Sequence, residues 1–384
     1  MCQYSHFLLL LSTIFVPTTH QSSPLECSQK KFIPVKKIFE LGQLSAGDSG
    51  STSTFPCWLD VKLARIGQNF AQKYFGHMFF AHALSLVALL SDEQTRRVLV
   101  LTGKSDTPDK SARRYLATAQ QIHLWYHSDI LSPQWTQSVE KVREIHSFVA
   151  FYVDTLNDTY ANIKVAEEKR SGFKPNEKMW EAFNLDIKNF DREKILSQSV
   201  HFNISLPKPK FKFNQYTMTL TIWAFMALPI LSPTQLGISK YSERDLQGFA
   251  HLWATVGYAL GTEERFIFCK TPDEWPECKL FLKGLFQTHF LPQLLDLNFE
   301  GETMIESLLW GMEKLVPRYP PDALLINLLE KHLGIRAKNL RRQRSLQSSV
   351  LGSSANWFMN AATLRSGLLR SFFTSLAFGE MQLA

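Results

Sequence analysis

The stretch YFGHMFFAHALSLVALL, residues 74–90, decides the fold class because it is apolar on every face of a helix. A helix that spans a bilayer needs about 20 such residues, and this stretch barely reaches that length. It also contains Gly76, His77 and His82, which suit a packed interior better than lipid. We therefore predict a helix buried in a protein core, with a transmembrane helix as the alternative.

Helical periodicity continues outward from this stretch in both directions. Asp60 is placed to cap a helix that runs to about Ala71. Ser242 and Asp245 form a similar start for a later helix, and Gly261 lies where that helix is expected to end. Further helices are predicted over residues 113–127, 133–153, 216–228, 281–299, 301–315 and 322–333. Alternation typical of strands is hard to find, so the sequence predicts an all-α fold.

The chain divides into four parts by composition. Residues 1–22 resemble a signal peptide, with the apolar run 7–16 followed by Pro17. Because residues 1–6 contain no Lys or Arg, an uncleaved hydrophobic leader is the alternative. Residues 23–56 are predicted to be an irregular lead-in with a Gly/Ser linker, and residues 57–335 a helical domain with a polar insertion at 154–201. The last part is 336–384.

That last part begins with a basic run, from Arg336 to Arg344. It continues into residues 357–378, which are rich in Leu and Phe but carry Asn360, Arg365 and Arg370. These polar side chains argue against a membrane span. An amphipathic segment on a membrane surface and a packed terminal helix remain equal alternatives.

Cysteines and glycosylation motifs point to the secretory pathway. Beyond Cys2, the chain has Cys27, Cys57, Cys269 and Cys278, an even number that suits two disulfides. Three pairings are possible; the local one joins Cys27 to Cys57 and Cys269 to Cys278. The motifs Asn157-Asp-Thr and Asn203-Ile-Ser are glycosylation sequons. We expect an ER-lumenal, membrane-associated or secreted glycoprotein.

The charge does not favour a nucleic-acid partner. The formal net charge is +7, but basic residues are spread along the chain and mixed with acidic ones. Single-strand binding grooves instead interleave cations with aromatic residues. We therefore expect no nucleic-acid partner.

Three short clusters carry the functional hypothesis. They are RRYLAT at 113–118, VREIH at 142–146, and HLWATVGYALG at 251–261. His146 lies at the centre of an apolar stripe formed by Val139, Val142, Val149 and Val153. A histidine in such a stripe is more often a hydrogen-bonded core residue than a ligand. The alternative is an axial haem ligand, with Arg114 or Arg143 pairing with the propionates.

In this order the clusters resemble the catalytic domain shared by rubber oxygenases (latex clearing proteins) and the ER-bound mpaB oxygenases, most closely the insect members. The resemblance covers roughly residues 60–297. It implies a globin-like helical core that holds haem b, and dioxygenative cleavage of a hydrophobic, isoprenoid substrate. The non-catalytic alternative is a haem or lipid carrier or sensor that retains the fold.

Residue by residue, the resemblance makes His146 the proximal iron ligand and places Arg114 and Thr118 on the distal, catalytic side. Arg143, His251 and Trp253 are implied to line the cofactor site. Two positions depart from the family pattern. Ala117 stands where rubber oxygenases have a distal lysine, and Ala254 stands where an arginine usually follows the tryptophan. These departures leave haem binding as the expectation and put rubber-type catalysis in doubt.

Overall fold

The computed structural model describes residues 34–157, 159, 172–188, 207–313 and 319–354. Within these ranges the chain is helical apart from turns and loops, with one isolated β-bridge between Ala46 and Asn214 and no strand. The all-α prediction is therefore confirmed. The finer expectation of a globin-like core stays a prediction.

Helices account for most of the described residues. In chain order they are α1 (Val35–Gly42), α2 (Val61–Lys73), α3 (Phe75–Ser91), α4 (Glu93–Thr102), α5 (Pro108–His127), α6 (Pro133–Thr155), α7 (Glu177–Ile187), α8 (Gln215–Leu231), α9 (Glu243–Ala259), α10 (Trp275–Leu285), α11 (Leu291–Leu294), α12 (Phe299–Glu313), α13 (Pro321–Asn327) and α14 (Lys338–Gln343). Two π-helical turns, Phe286–Phe290 and Leu328–His332, follow α10 and α13.

Helix α3 is the centre of the core, as the opening stretch of sequence predicts. Each of its residues is buried, and α8, α12 and α5 lie around it. No single described helix is both long and apolar enough to cross a bilayer. Helices α2 and α3 meet that length and composition only as a pair bent by 92°.

Helices α2 and α9 form the closest helix pair, and glycines allow it. A Cβ atom on Gly67 would lie 2.1 Å from the carbonyl oxygen of Gly248, and a Cβ on Gly248 would lie 2.7 Å from the amide nitrogen of Gly67. Both distances are far below contact distance. The two backbones can therefore cross only where neither residue has a side chain.

The predicted helix starts are confirmed by their hydrogen bonds. The Asp60 carboxylate accepts from the Leu63 amide at the start of α2. Ser242 and Asp245 form a complete capping box at the start of α9. Gly261 follows α9 with φ +98°, a left-handed conformation that glycine adopts without a Cβ penalty.

Three local predictions differ from the structure. The lead-in expected to be irregular contains α1, whose Phe39 is fully buried. Helix α5 begins at Pro108 rather than near residue 113, because proline suits the first helical turn after the Thr107 cap. Helix α8 continues past Pro229 to Leu231; so close to its end, the proline removes a single hydrogen bond.

The polar insertion is partly a core element. Helix α7 lies within it and buries Met179, Trp180 and Phe183. The Asp186 carboxylate accepts from the amides of Asn339 and Leu340, which fixes α14 against α7. The basic run therefore begins within the packed structure.

The predicted bridge between Cys269 and Cys278 is present. Cys57 is also disulfide-bonded, and Cys27, its predicted partner, lies outside the described residues. The expected signal peptide, Asn203 and the amphipathic segment 357–378 lie outside them too.

Candidate functional site

His146 occupies the position on α6 that the valine stripe predicts. Val139 and Val153 are fully buried, and the partly buried imidazole packs 5.7 Å from the Phe213 ring, centroid to centroid. Its Nδ1 is shielded from solvent and has no hydrogen-bond partner among the described residues. Burial, helped by the nearby positive charge of Arg114, lowers the pKa of His146 to about 4. The ring is therefore neutral at pH 7, the form that binds a metal ion.

Arg114 lies on α5 close enough to influence His146. Its guanidinium donates a long 3.4 Å hydrogen bond to the Thr102 hydroxyl. No carboxylate in the described part of the chain pairs with it. Burial lowers the pKa of Arg114, which nevertheless keeps its charge at neutral pH. The structure thus brings Arg114 and His146 together, and no counter-ion for Arg114 is found among the described residues.

Thr118 lies one helical turn after Arg114, but its hydroxyl is already engaged. It donates to the Arg114 carbonyl oxygen at 3.1 Å, a bond within the same helix. The Thr118 side chain lines a small, almost wholly apolar pocket of about 20 Å³, together with Phe75, Phe79, His82 and other residues. This space is close to that of one water molecule.

Arg143 is paired with Asp48. Its Nε donates to Asp48 Oδ2 at 2.7 Å, and its Nη2 donates to the other oxygen at 2.5 Å. Hydrogen bonding to Asp48 raises the pKa of Arg143. Because the carboxylate neutralises the guanidinium, Arg143 holds the loop before α2 against α6. It is a poorer counter-ion for an anionic ligand than Arg114.

His251 uses both ring nitrogens. Its Nε2 accepts from the Asp60 backbone amide at 2.9 Å, so the ring proton must lie on Nδ1, which donates to the Lys270 carbonyl oxygen. No nitrogen remains for iron. His251 therefore joins α9 to the start of α2 and to the disulfide loop.

Trp253 belongs to a buried polar group that the sequence did not single out as a site. Its indole N–H donates to the Tyr126 hydroxyl at 3.0 Å, and that hydroxyl also lies 3.0 Å from His82 Nε2. Burial lowers the pKa of His82 to about 3, and its Nδ1 has no described partner. The sequence signals for this group are His82, a polar residue inside an apolar stretch, and Trp253 in the third cluster.

No set of three or more His, Cys, Asp or Glu side chains suited to a metal ion occurs within the described ranges. A haem iron needs only one protein ligand, so this finding does not bear on His146.

Comparisons with known proteins found no matching family model, no similar curated protein and no similar solved structure.

Proposed function

We propose that this chain is a haem-dependent, oxygenase-like protein that acts on a hydrophobic, isoprenoid-type substrate near a membrane, with His146 as the iron ligand. The observation that carries the proposal is that two neighbouring side chains each lack a partner: one lacks a hydrogen-bond partner, and the other lacks a counter-ion among the described residues. His146 is a neutral imidazole with a shielded nitrogen that has no described partner. Arg114 beside it is a cation that lacks a carboxylate within the described ranges.

These two residues suit the two parts of haem that a protein binds, the iron and the propionate groups. A neutral imidazole is the commonest protein ligand of haem iron, and an arginine suits a propionate carboxylate. Among the other residues considered, Arg143 is neutralised by Asp48, and His251 has no nitrogen to offer. We therefore assign the ligand to His146 and the anion contact to Arg114.

Bound haem would supply an iron that binds O2, and the protein side chains would position the reactants. The side chains around Thr118 are almost wholly apolar, which suits a hydrocarbon substrate. The Arg114 guanidinium supplies fixed positive charge on the same helix. Thr118 would act there only after releasing the Arg114 carbonyl.

The second candidate is a non-catalytic haem or lipid carrier. Two observations favour it: the Thr118 hydroxyl is engaged within its own helix, and Ala117 cannot replace a distal lysine. The cavity beside Thr118 is also far smaller than the roughly 300–1,000 Å³ of typical small-molecule sites. Oxygen uptake with an isoprenoid alkene separates the two functions, because only the oxygenase consumes O2.

The deciding experiment is the absorption spectrum of the full-length protein, as purified and after reconstitution with haemin. We expect a Soret band that His146→Ala abolishes or strongly reduces, with unchanged helical content by circular dichroism. His127→Ala is the matched control, because His127 is an exposed histidine at the end of α5. If wild type gains no Soret band, or if both variants keep it equally, the haem proposal is wrong.

A further inference from the structure

A second buried polar network surrounds Asp92, the residue between α3 and α4. Its Oδ1 accepts from the Thr95 amide at 2.7 Å, which caps α4. Its Oδ2 accepts from the Tyr216 hydroxyl at 2.5 Å and lies 3.1 Å from His289 Nε2. Asp92, Tyr216 and His289 are each at most 1% exposed. This network fixes α4, α8 and the first π-helical turn relative to one another.

An open cleft lies directly in front of the network. It encloses about 580 Å³, within the range of small-molecule sites, and Asp92 and Tyr216 form part of its wall. Gln43, at the end of α1, forms another part, and its carbonyl oxygen accepts from the Lys210 amide at 3.0 Å. The cleft is therefore bordered by a rigid polar wall and by the loop at 207–210.

Two amide side chains on the cleft wall have unmet hydrogen bonds. Gln43 is 4% exposed, and its Oε1 has no hydrogen-bond partner in the described part of the chain. Gln94 Nε2 is likewise shielded and lacks a described partner. A shielded acceptor or donor that stays unsatisfied destabilises the folded state. A ligand that both accepts and donates hydrogen bonds would satisfy the two amides.

The cleft wall carries both positive and negative side chains, in roughly equal number. Arg97 and Lys208 contribute positive charge, and Glu93 and Asp296 contribute negative charge. Arg96 is already bonded to Glu300 and to the carbonyl oxygens of Leu90 and Ser91. The balance gives no preference for an anion such as a phosphate. Pro207, Pro209 and Pro292 add rigid apolar surface.

We propose that this cleft binds an uncharged saccharide, with Gln43 and Gln94 as the recognising side chains. Sugar hydroxyl and acetamido groups each combine a donor with an acceptor, which is what the two amides lack. The carbon face of a sugar ring would lie against the prolines. This site is separate from His146 and does not depend on haem binding.

The saccharide has two sources. It is either a free sugar or part of a glycan on the chain itself, because the sequon Asn203-Ile-Ser begins four residues before Pro207. Both sources offer the same hydroxyl and acetamido groups to the cleft. They differ in whether removing the glycan empties the site.

The test uses full-length protein from a glycosylating host, as wild type and as Asn203→Gln. Binding of free N-acetylglucosamine and of glucose is measured by titration calorimetry and saturation-transfer NMR. For a free-sugar site we expect both proteins to bind equally. For a site filled by the chain's own glycan, we expect only Asn203→Gln to bind the added sugar, and its unfolding temperature to be lower than that of wild type.

Gln43→Leu and Gln94→Leu are the site variants, and exposed Gln134→Leu is the matched control. In the Asn203→Gln background we expect each site variant to weaken sugar binding at least tenfold and the control to leave it unchanged. Without sugar, Gln43→Leu should raise the unfolding temperature, because it removes a shielded amide that has no partner. Two results would overturn the proposal: no saturable binding by either protein, or a lower unfolding temperature for a folded Gln43→Leu, which indicates that ordered water satisfies the amide.

Discussion

Around Asp92, a single carboxylate oxygen serves as acceptor for side chains from two different elements. Tyr216 and His289 both reach Oδ2, while Oδ1 caps α4. Burial alone would raise the pKa of Asp92, but His289, followed by Tyr216 and Thr95, lowers it well below its ordinary value. The carboxylate is therefore ionised at neutral pH.

Removing that charge should cost more than removing one of its donors. We expect Asp92→Asn to lower the free energy of unfolding by about 3 kcal/mol, because hydrogen bonds to a charged acceptor contribute about 1.5–3 kcal/mol each and the amide replaces the carboxylate that accepts them. Tyr216→Phe removes the hydroxyl that donates to Asp92 but leaves the carboxylate and its other donors in place, so it should cost less, about 1.5 kcal/mol. Urea denaturation at pH 7 measures both. Equal losses would show that the hydrogen bonds, rather than the buried charge, stabilise the network.

Residue roles within the predicted site depended on partners that are far away in the sequence. His146 could be placed from its own helix, because the valine stripe fixes the inward face of α6. Arg143 and His251 could not, since their roles depend on Asp48 and Asp60, which lie 95 and 191 residues away. A local pattern gives no information about such partners. The same limit hid the network around Asp92.

At the scale of elements, the crossing of α2 and α9 requires glycine at positions 67 and 248, because a Cβ atom at either position would clash with the backbone of the other helix. We expect Gly67→Ala or Gly248→Ala to lower the free energy of unfolding by about 3 kcal/mol or more, because the added methyl meets backbone atoms rather than a movable side chain.

Gly284→Ala is the matched control for this prediction. Gly284 also lies in a helix, α10, but a Cβ atom there meets nothing within 4 Å. We expect that variant to be about 0.5–1 kcal/mol more stable than wild type. The unfolding temperatures of the three variants, compared with that of wild type, test these expectations. If Gly67→Ala is as stable as Gly284→Ala, the two helices are not in the close contact described here.

Helix starts were predictable from sequence, whereas irregular turns within helices were not. Asp60 and the Ser242–Asp245 pair follow local capping rules, so tertiary structure was not needed to find them. The π-helical turn Phe286–Phe290 falls inside a segment that was predicted as one continuous helix. Its extra residue turns His289 toward Asp92, and apolar periodicity carries no sign of that contact.

For the molecule as a whole, several shielded imidazoles make the free energy of unfolding depend on pH. The pKa values of His82, His146 and His332 are lowered by burial from 6.5 to about 3, about 4 and about 4. The unfolded chain binds more protons than the folded one between those values and 6.5. Stability should therefore be complete above pH 6.5 and should fall as the pH drops toward 4.

Each histidine contributes at most about 1.4 kcal/mol per pH unit within that window. Guanidine denaturation at pH 7, 5.5 and 4.5 should show the decline, and His82→Phe should flatten it. Asp92 does not contribute to this pH dependence, because its pKa is lowered and its effect on stability therefore changes only below its ordinary pKa of 3.8. Parallel pH profiles for wild type and His82→Phe would contradict the assignment.

The hydrogen bond from the Asp60 amide to His251 has a consequence for how the chain is made. Its two ends are 191 residues apart, and the glycine crossing joins the same two helices. During synthesis, α2 and α3 therefore leave the ribosome well before α9, while the apolar surface of α3 has no α8 or α12 to cover it. Contacts this distant slow folding. The first third of the nascent chain should therefore bind chaperones until α9 has been translated, and a ribosome stalled before residue 240 should hold a chain that proteases cut within α2.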